Sequence, residues 1–218
     1  MRKLKYLSVL SLPVCVWISF HSTGILTFLP ALYLFGVIPF FELILRVDSQ
    51  NLSEQEKVLA SKDSFYSVLL YLMLPIQFGF LVYFLFHIEE VQTTTDLVGQ
   101  ILSMGLMCAV LGINIGHELG HRSNRLERFI GELLLLSSLE NHFLPYHNRG
   151  HHTNVGTNSD PATARRNEWL YVFWFRSQIG SYFQAWKIEF TRMKIMKKPM
   201  FNYENKMLQY SVLHSIFL

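Results

Sequence analysis

The stretch 97-LVGQILSMGLMCAVLGINIG-116, followed without a break by 117-HELGH-121, decides how this chain folds. Residues 97–116 contain no Asp, Glu, Lys or Arg. About 20 consecutive apolar residues are what an α-helix needs to cross a bilayer, so the stretch predicts a membrane-spanning helix that ends on a histidine pair. Helical residues four apart lie on one face, one turn apart. His117 and His121 are therefore expected to present two imidazoles side by side.

Upstream, three more apolar stretches lie near 6–20, 24–45 and 65–88. The first is short and is expected to bend at Pro13. It reads as a span rather than a signal peptide, because no small-residue cleavage site follows it and further spans do. Residues 46–64 hold Arg46, Asp48, Glu54, Glu56, Lys57, Lys62 and Asp63 and read as a loop. Within it, Ser53 and Glu56 have the spacing of a capping box that opens a short helix. A short acidic, threonine-rich turn, 89–96, joins the third and fourth spans. Arg2, Lys3 and Lys5 favour a cytoplasmic N-terminus, and four crossings return the chain to that side at Gly116.

The expected fold class is all-α, a polytopic membrane helical bundle. It has about four spans over 1–116, a cytoplasmic-side helical histidine-rich region over 117–207, and the start of a further span over 208–218. Within the middle region, 126–139 predicts an interfacial or re-entrant helix and 153–163 a loop. Residues 168–194 predict an amphipathic helix with Trp169, Phe173, Phe175, Ile179, Phe183 and Trp186 among charged positions. Composition agrees with a membrane protein. Hydrophobic residues make up 50% and charged residues 16% of 218, against roughly a quarter charged in soluble domains, and mean hydropathy is +0.23.

Charge is uneven. Residues 1–116 hold 6 Lys+Arg and 8 Asp+Glu, and residues 117–218 hold 13 and 8. The basic half suits an anionic cytoplasmic leaflet. Nucleic acid is not an expected partner, since the basic residues are scattered among apolar ones without a binding motif. Cys15 and Cys108 both lie in apolar stretches, so neither a disulfide nor a thiolate metal site is expected.

A second histidine word, 147-HNRGHH-152, follows 26 residues after the first. His147 and His151 repeat the four-residue spacing, and His152 is expected about 100° further round the helix. Imidazole is the commonest protein ligand for transition metals. Neutral nitrogen donors without cysteine suit iron, copper or zinc. The candidate ligands are His117, His121, His147, His151 and His152. His21, His87 and His214 lack such partners and read as ordinary side chains, and His142 stands between an ordinary side chain and a group that orients the ligands from behind. HELGH also fits H-E-x-x-H, in which two histidines bind zinc and Glu118 would be a general base. A catalytic zinc takes three protein ligands, so five histidines point instead to two metals.

These words resemble the membrane alkane 1-monooxygenase (alkane hydroxylase) family, within the membrane fatty-acid desaturase and hydroxylase superfamily. HELGHR (117–122) is similar to its first histidine box and HFLPYHNRGHH (142–152) to its second, where the family usually has a glutamate at the place of Tyr146. SDPATARRNEWLY (159–171) resembles the segment that follows, and NLSEQEKVLASKDSFYSVLLYLMLP (51–75) extends the likeness weakly. The resemblance implies a non-haem centre of two irons, with O2 as co-substrate, that hydroxylates the terminal carbon of alkanes. It implies electrons from rubredoxin and its NADH-dependent reductase, a bacterial inner membrane, and histidine boxes on the cytoplasmic side. It implies the five histidines as ligands, with Glu118 and Asp160 orienting the imidazoles. The family's third histidine box is absent from these 218 residues, so the chain is expected to be an N-terminal portion. The alternatives are a fatty-acyl desaturase or hydroxylase of the same superfamily, a membrane zinc metalloprotease, and an inactive truncated product.

Overall fold

The computed structural model describes residues 2–45 and 53–218. The first part of the expected loop, 46–52, lies outside the described residues. Among the described residues every regular element is helical. The chain divides into two compact units, Met1–Gly116 and His117–Leu218.

Four helices are long and apolar enough to cross a membrane: α1 (Lys3–Phe20), α2 (Gly24–Ile44), α4 (Ser64–Glu90) and α5 (Thr94–Gly120). A short helix, α3 (Glu54–Lys62), precedes α4. Its capping box forms as the sequence predicts. Ser53 N–H donates to Glu56 Oε2 at 2.9 Å, and Glu56 N–H donates to Ser53 Oγ at 3.3 Å. Asp63 caps α4 through Phe65 N–H and pairs with Lys3 at 2.9 Å.

The prolines sit where the helical winding changes. Pro13 is the third residue of the α-helical part of α1 (Ser11–Phe20), directly after a 3-10 stretch, Arg2–Leu10. In α2 a wider π-helical turn, Tyr33–Val37, separates Pro30 from Pro39. Such a turn relieves the clash a proline ring makes with the carbonyl four residues earlier. The expected turn at 89–96 is shorter than predicted, because α4 winds on to Glu90 and α5 begins at Thr94 behind a Thr93 cap.

Polar side chains tie the first unit together internally. Ser19 Oγ donates to Thr27 O at 2.6 Å, and Ser103 Oγ donates to the same carbonyl at 2.8 Å. Small hydroxyl side chains linking apolar helices are typical of membrane bundles, where lipid gives no hydrophobic drive for one helix to pack on another. The outward positions Phe35, Leu43 and Phe86 are apolar and exposed. Together with the family finding below, these helices make this an integral membrane protein.

The second unit holds α6 (Arg125–Leu136), α7 (143–154), α8 (Leu170–Ile195) and α9 (Lys206–Phe217). Asn124 caps α6 and Asn205 caps α9. The helix expected over 126–139 stops at Leu136. Leu139 adopts a left-handed φ of 57°, and Glu140 N–H reaches back to Leu135 O at 2.9 Å. This closes the helix as a glycine would, but no glycine announces it.

In α8 the polarity is reversed from what a helix over a soluble core would show. Ser181, Ala185, Glu189 and Met193, at four-residue spacing, form the buried stripe, whereas Phe175, Ile179 and Phe183 are exposed. Glu189 explains the inward polar face. It accepts from Arg192 Nε at 2.8 Å, Arg149 Nη1 at 3.2 Å and Lys206 N–H at 2.9 Å, so one buried carboxylate ties α7, α8 and α9 together. Beside it Tyr146, Ala185, Met207 and Tyr210 make an apolar core with Phe143, Ala162 and Trp186 packed on it.

Candidate metal centre

Residues 117–120 of HELGH form the last turn of α5, and His121 follows directly in a turn. Helical winding there stacks His117 and His121 on one face, as their spacing predicts, and their Nε2 atoms lie 2.7 Å apart. From α7, His147 brings its own Nε2 to 2.8 Å from that of His117. One donor atom from each of the three lies within 4.8 Å of the others. An ion with bonds of ~2.1 Å to nitrogen sets its ligand atoms about 3.0–3.4 Å apart. Three imidazole edges that converge this closely therefore fit a first-row transition metal, with small outward shifts. Phe143, one turn before His147, stacks on its ring (centroids 4.5 Å, 19°) and meets His117 edge-on, which fixes both ring planes.

The glycines of the two words permit the approach. A Cβ on Gly120 would run into the Leu144 side chain, and one on Gly150 would press against Ile188 and Tyr146.

HNRGHH does not continue the α-helix. His147–His151 is a π-helical turn, a form that recurs at functional sites. The wider winding puts residue i+5, rather than i+4, back over residue i. His152 therefore lies nearer His147 (ring centroids 4.5 Å) than His151 does (5.2 Å), and His152 also meets His121 at 5.2 Å. The expected pairing of His147 with His151, with His152 some 100° away, is corrected on this point. All five histidines are gathered, but the converging nitrogens belong to His117, His121 and His147.

His151 faces elsewhere with one nitrogen. Its Nδ1 lies 2.9 Å from Asp160 Oδ2. Asp160 is 1% exposed and also accepts from Thr163 Oγ1 at 2.6 Å, Tyr146 Oη at 2.5 Å and Ala162 N–H at 3.1 Å. Glu118 forms an exposed ion pair with Arg122 at 2.9 Å. His142 is buried in a different group, 3.5 Å from Glu140 and edge-on to Tyr182. The three remaining histidines make local contacts. His21 bonds Trp17 O and Tyr83 Oη, His87 bonds Tyr83 O, and His214 bonds Asn141 Oδ1.

Burial, followed by the neighbouring histidines 117, 152, 121 and 151, pushes the His147 pKa down to about 3. A neutral imidazole keeps the lone pair that a metal needs. Burial alone would raise the Asp160 carboxyl, but the bonds from Thr163, Tyr146, Ala162 N–H and His151 outweigh it and hold the pKa below the ordinary value. Burial and the adjacent Asp160 push the Tyr146 phenol up, so it stays a donor.

Sequence reasoning gave no role to Phe143, Thr163 or Tyr146. Phe143 was readable from its four-residue spacing to His147, and Thr163 from its place three residues after an aspartate. No local signal pointed to Glu189.

Residues 95–217 match the sequence profile of the family described as fatty acid desaturase. Among curated relatives, alkane 1-monooxygenase 1 of Alcanivorax borkumensis is 32% identical over 184 residues, 82% of this chain and 44% of that protein. The alkane 1-monooxygenase of Ectopseudomonas oleovorans is 29% identical over 231 residues, 99% of this chain and 57% of that protein. The xylene/toluene monooxygenase hydroxylase component of Pseudomonas putida is 29% identical over 147 residues, 66% of this chain and 40% of that protein. The chain spans about half the length of the alkane monooxygenases it matches.

Proposed function

The chain belongs to the fatty acid desaturase family, and from that premise we propose that it provides the first two histidine boxes of a membrane-bound non-haem di-iron monooxygenase. On this reading the substrate is an alkane hydroxylated at its terminal carbon. Rubredoxin and its NADH-dependent reductase deliver the electrons. The location is a bacterial inner membrane, with the N-terminus and the histidine boxes on the cytoplasmic side. Residues 1–116 carry the spans and 117–207 the histidine-box region.

The observation that carries the reading is the convergence of His117, His121 and His147 nitrogens, with His151 and His152 beside them. These five are the proposed ligands. What iron supplies when bound is O2 activation, so that one oxygen atom enters a C–H bond and the other leaves as water. The protein's own part is to hold and orient. Phe143 fixes the planes of His117 and His147, and Asp160 accepts a hydrogen bond from Nδ1–H of His151. Burial keeps His147 neutral at physiological pH. Glu118 is directed to Arg122, and five clustered imidazoles exceed the three ligands of a catalytic zinc. Both points weigh against a zinc protease.

The test is metal analysis of the purified chain, with assay of its membranes on a medium-chain alkane and on a fatty-acyl substrate, supplied with NADH, rubredoxin and the reductase. Bound iron is expected in the purified chain, and 1-alkanol formation only where a further histidine box is supplied with it. Stoichiometric zinc, or turnover of the acyl substrate alone, would overturn the corresponding part.

A further inference from the structure

We propose that Tyr146 is a positioning residue that acts through Asp160 to hold His151 with its Nδ1 protonated and its Nε2 bare. Its consequence for metal binding rests on the reading above; the tautomer itself does not. The argument is one of satisfied lone pairs. An ionised carboxylate offers about four acceptor directions and no donor. On Asp160, Oδ1 takes Tyr146 Oη at 2.5 Å and, at 3.1 Å, an Ala162 N–H that it shares with Tyr146 Oη, also at 3.1 Å. Oδ2 takes Thr163 Oγ1 at 2.6 Å and faces His151 Nδ1 at 2.9 Å. An ionised carboxylate can only accept, so its bond to His151 is one that the ring donates. The bonds from Tyr146, Ala162 and Thr163 keep the carboxylate turned towards Nδ1; without the Tyr146 bond it can swing away and release that ring nitrogen. The Nδ1–H tautomer follows, leaving the Nε2 lone pair free.

Tyr146 is the member of this set that comes from the turn just before His147, and it is 2% exposed. Its hydroxyl therefore links the backbone that presents His147 to the carboxylate that orients His151. The plain alternative is that Tyr146 only fills the core with Ala185, Met207 and Tyr210. Tyr146→Phe separates the two roles, because the ring stays and Ala162 N–H keeps Asp160 Oδ1 as its acceptor.

The experiment uses the full chain with 15N-labelled histidine, with the His151 signals identified by comparison with His151→Gln. Long-range proton–nitrogen correlation reads the tautomer without any metal. The wild type is expected to show Nδ1–H, and Tyr146→Phe a mixture of both tautomers. In cobalt(II) titrations Tyr146→Phe should bind about 3- to 10-fold more weakly and Asp160→Asn about 10- to 100-fold. The double variant should be no weaker than Asp160→Asn, because the two residues act in series. A wild-type tautomer in Tyr146→Phe, or additive losses in the double variant, would overturn the proposal. If the wild type takes up no cobalt but the tautomer still shifts in Tyr146→Phe, the metal-centre reading fails and the positioning role stands.

Discussion

In HELGH the two imidazoles follow one another along one helical winding, and His117 and His121 come within 2.7 Å as their four-residue spacing predicts. In HNRGHH the arrangement is borrowed. A π turn resets which residues share a face, a loop aspartate holds His151, and Glu189 from α8 holds Arg149 in the middle of the word. The two words read alike, yet one is a local structure and the other a tertiary one. Equal spacing gives equal geometry only where the backbone hydrogen bonds repeat regularly.

The largest effect expected is from His117→Ala. That ring stands between His121 and His147, so its removal should abolish stoichiometric metal in elemental analysis. His87→Ala, far from any cluster histidine in sequence and bonded to Tyr83 O, should retain it. His151→Ala sharpens the comparison. Loss of metal there makes the second word an equal partner, whereas full retention confines the site to HELGH and His147.

Next comes Glu189→Gln. Removing a buried charge that pairs with Arg149 and Arg192 should cost about 3 kcal/mol, read as a lowered thermal midpoint in detergent. Metal affinity should fall with it, since Arg149 belongs to the word. An unchanged midpoint would mean that HNRGHH stands by itself.

A smaller effect separates histidines buried for packing from those gathered as ligands. Burial, and then His214, pushes His142 from 6.5 down to about 4. The unfolded chain takes up that proton first, so stability is full above the unfolded value and falls as pH drops from about 6.5 towards 4. The loss between pH 7 and pH 5 is about 2 kcal/mol in metal-free protein. His142→Gln should remove this part of the slope, and an unaltered slope would refute the assignment. Burial pushes Glu140 up, which acts in the opposite sense nearer its own ordinary value.

The smallest effect belongs to Arg122→Ala. Its pair with Glu118 is exposed at both ends, so stability should change by no more than about 0.5 kcal/mol and metal affinity should stay as it was. A large loss would show that HELGH is less self-contained than its helix suggests.

Much of this protein was set by its sequence alone. Four spans follow from apolar length, because a bilayer crossing demands an uninterrupted run whatever surrounds it. The capping box at Ser53 and Glu56 and the pairing of His117 with His121 are also written in spacing, because each depends only on residues within one helical turn. Tertiary structure decided the rest. Which face of α8 turns inward depends on a charge, Glu189, whose partners Arg149 and Lys206 lie 40 and 17 residues away. The phase of HNRGHH depends on a π turn, which no periodic pattern predicts. Asp160 was named by the resemblance, but that it meets His151 and is itself held by Tyr146 needs a loop folded back on the helix before it. Hydrogen bonds that close within a turn can be read from neighbours in sequence, whereas those that close across a fold cannot.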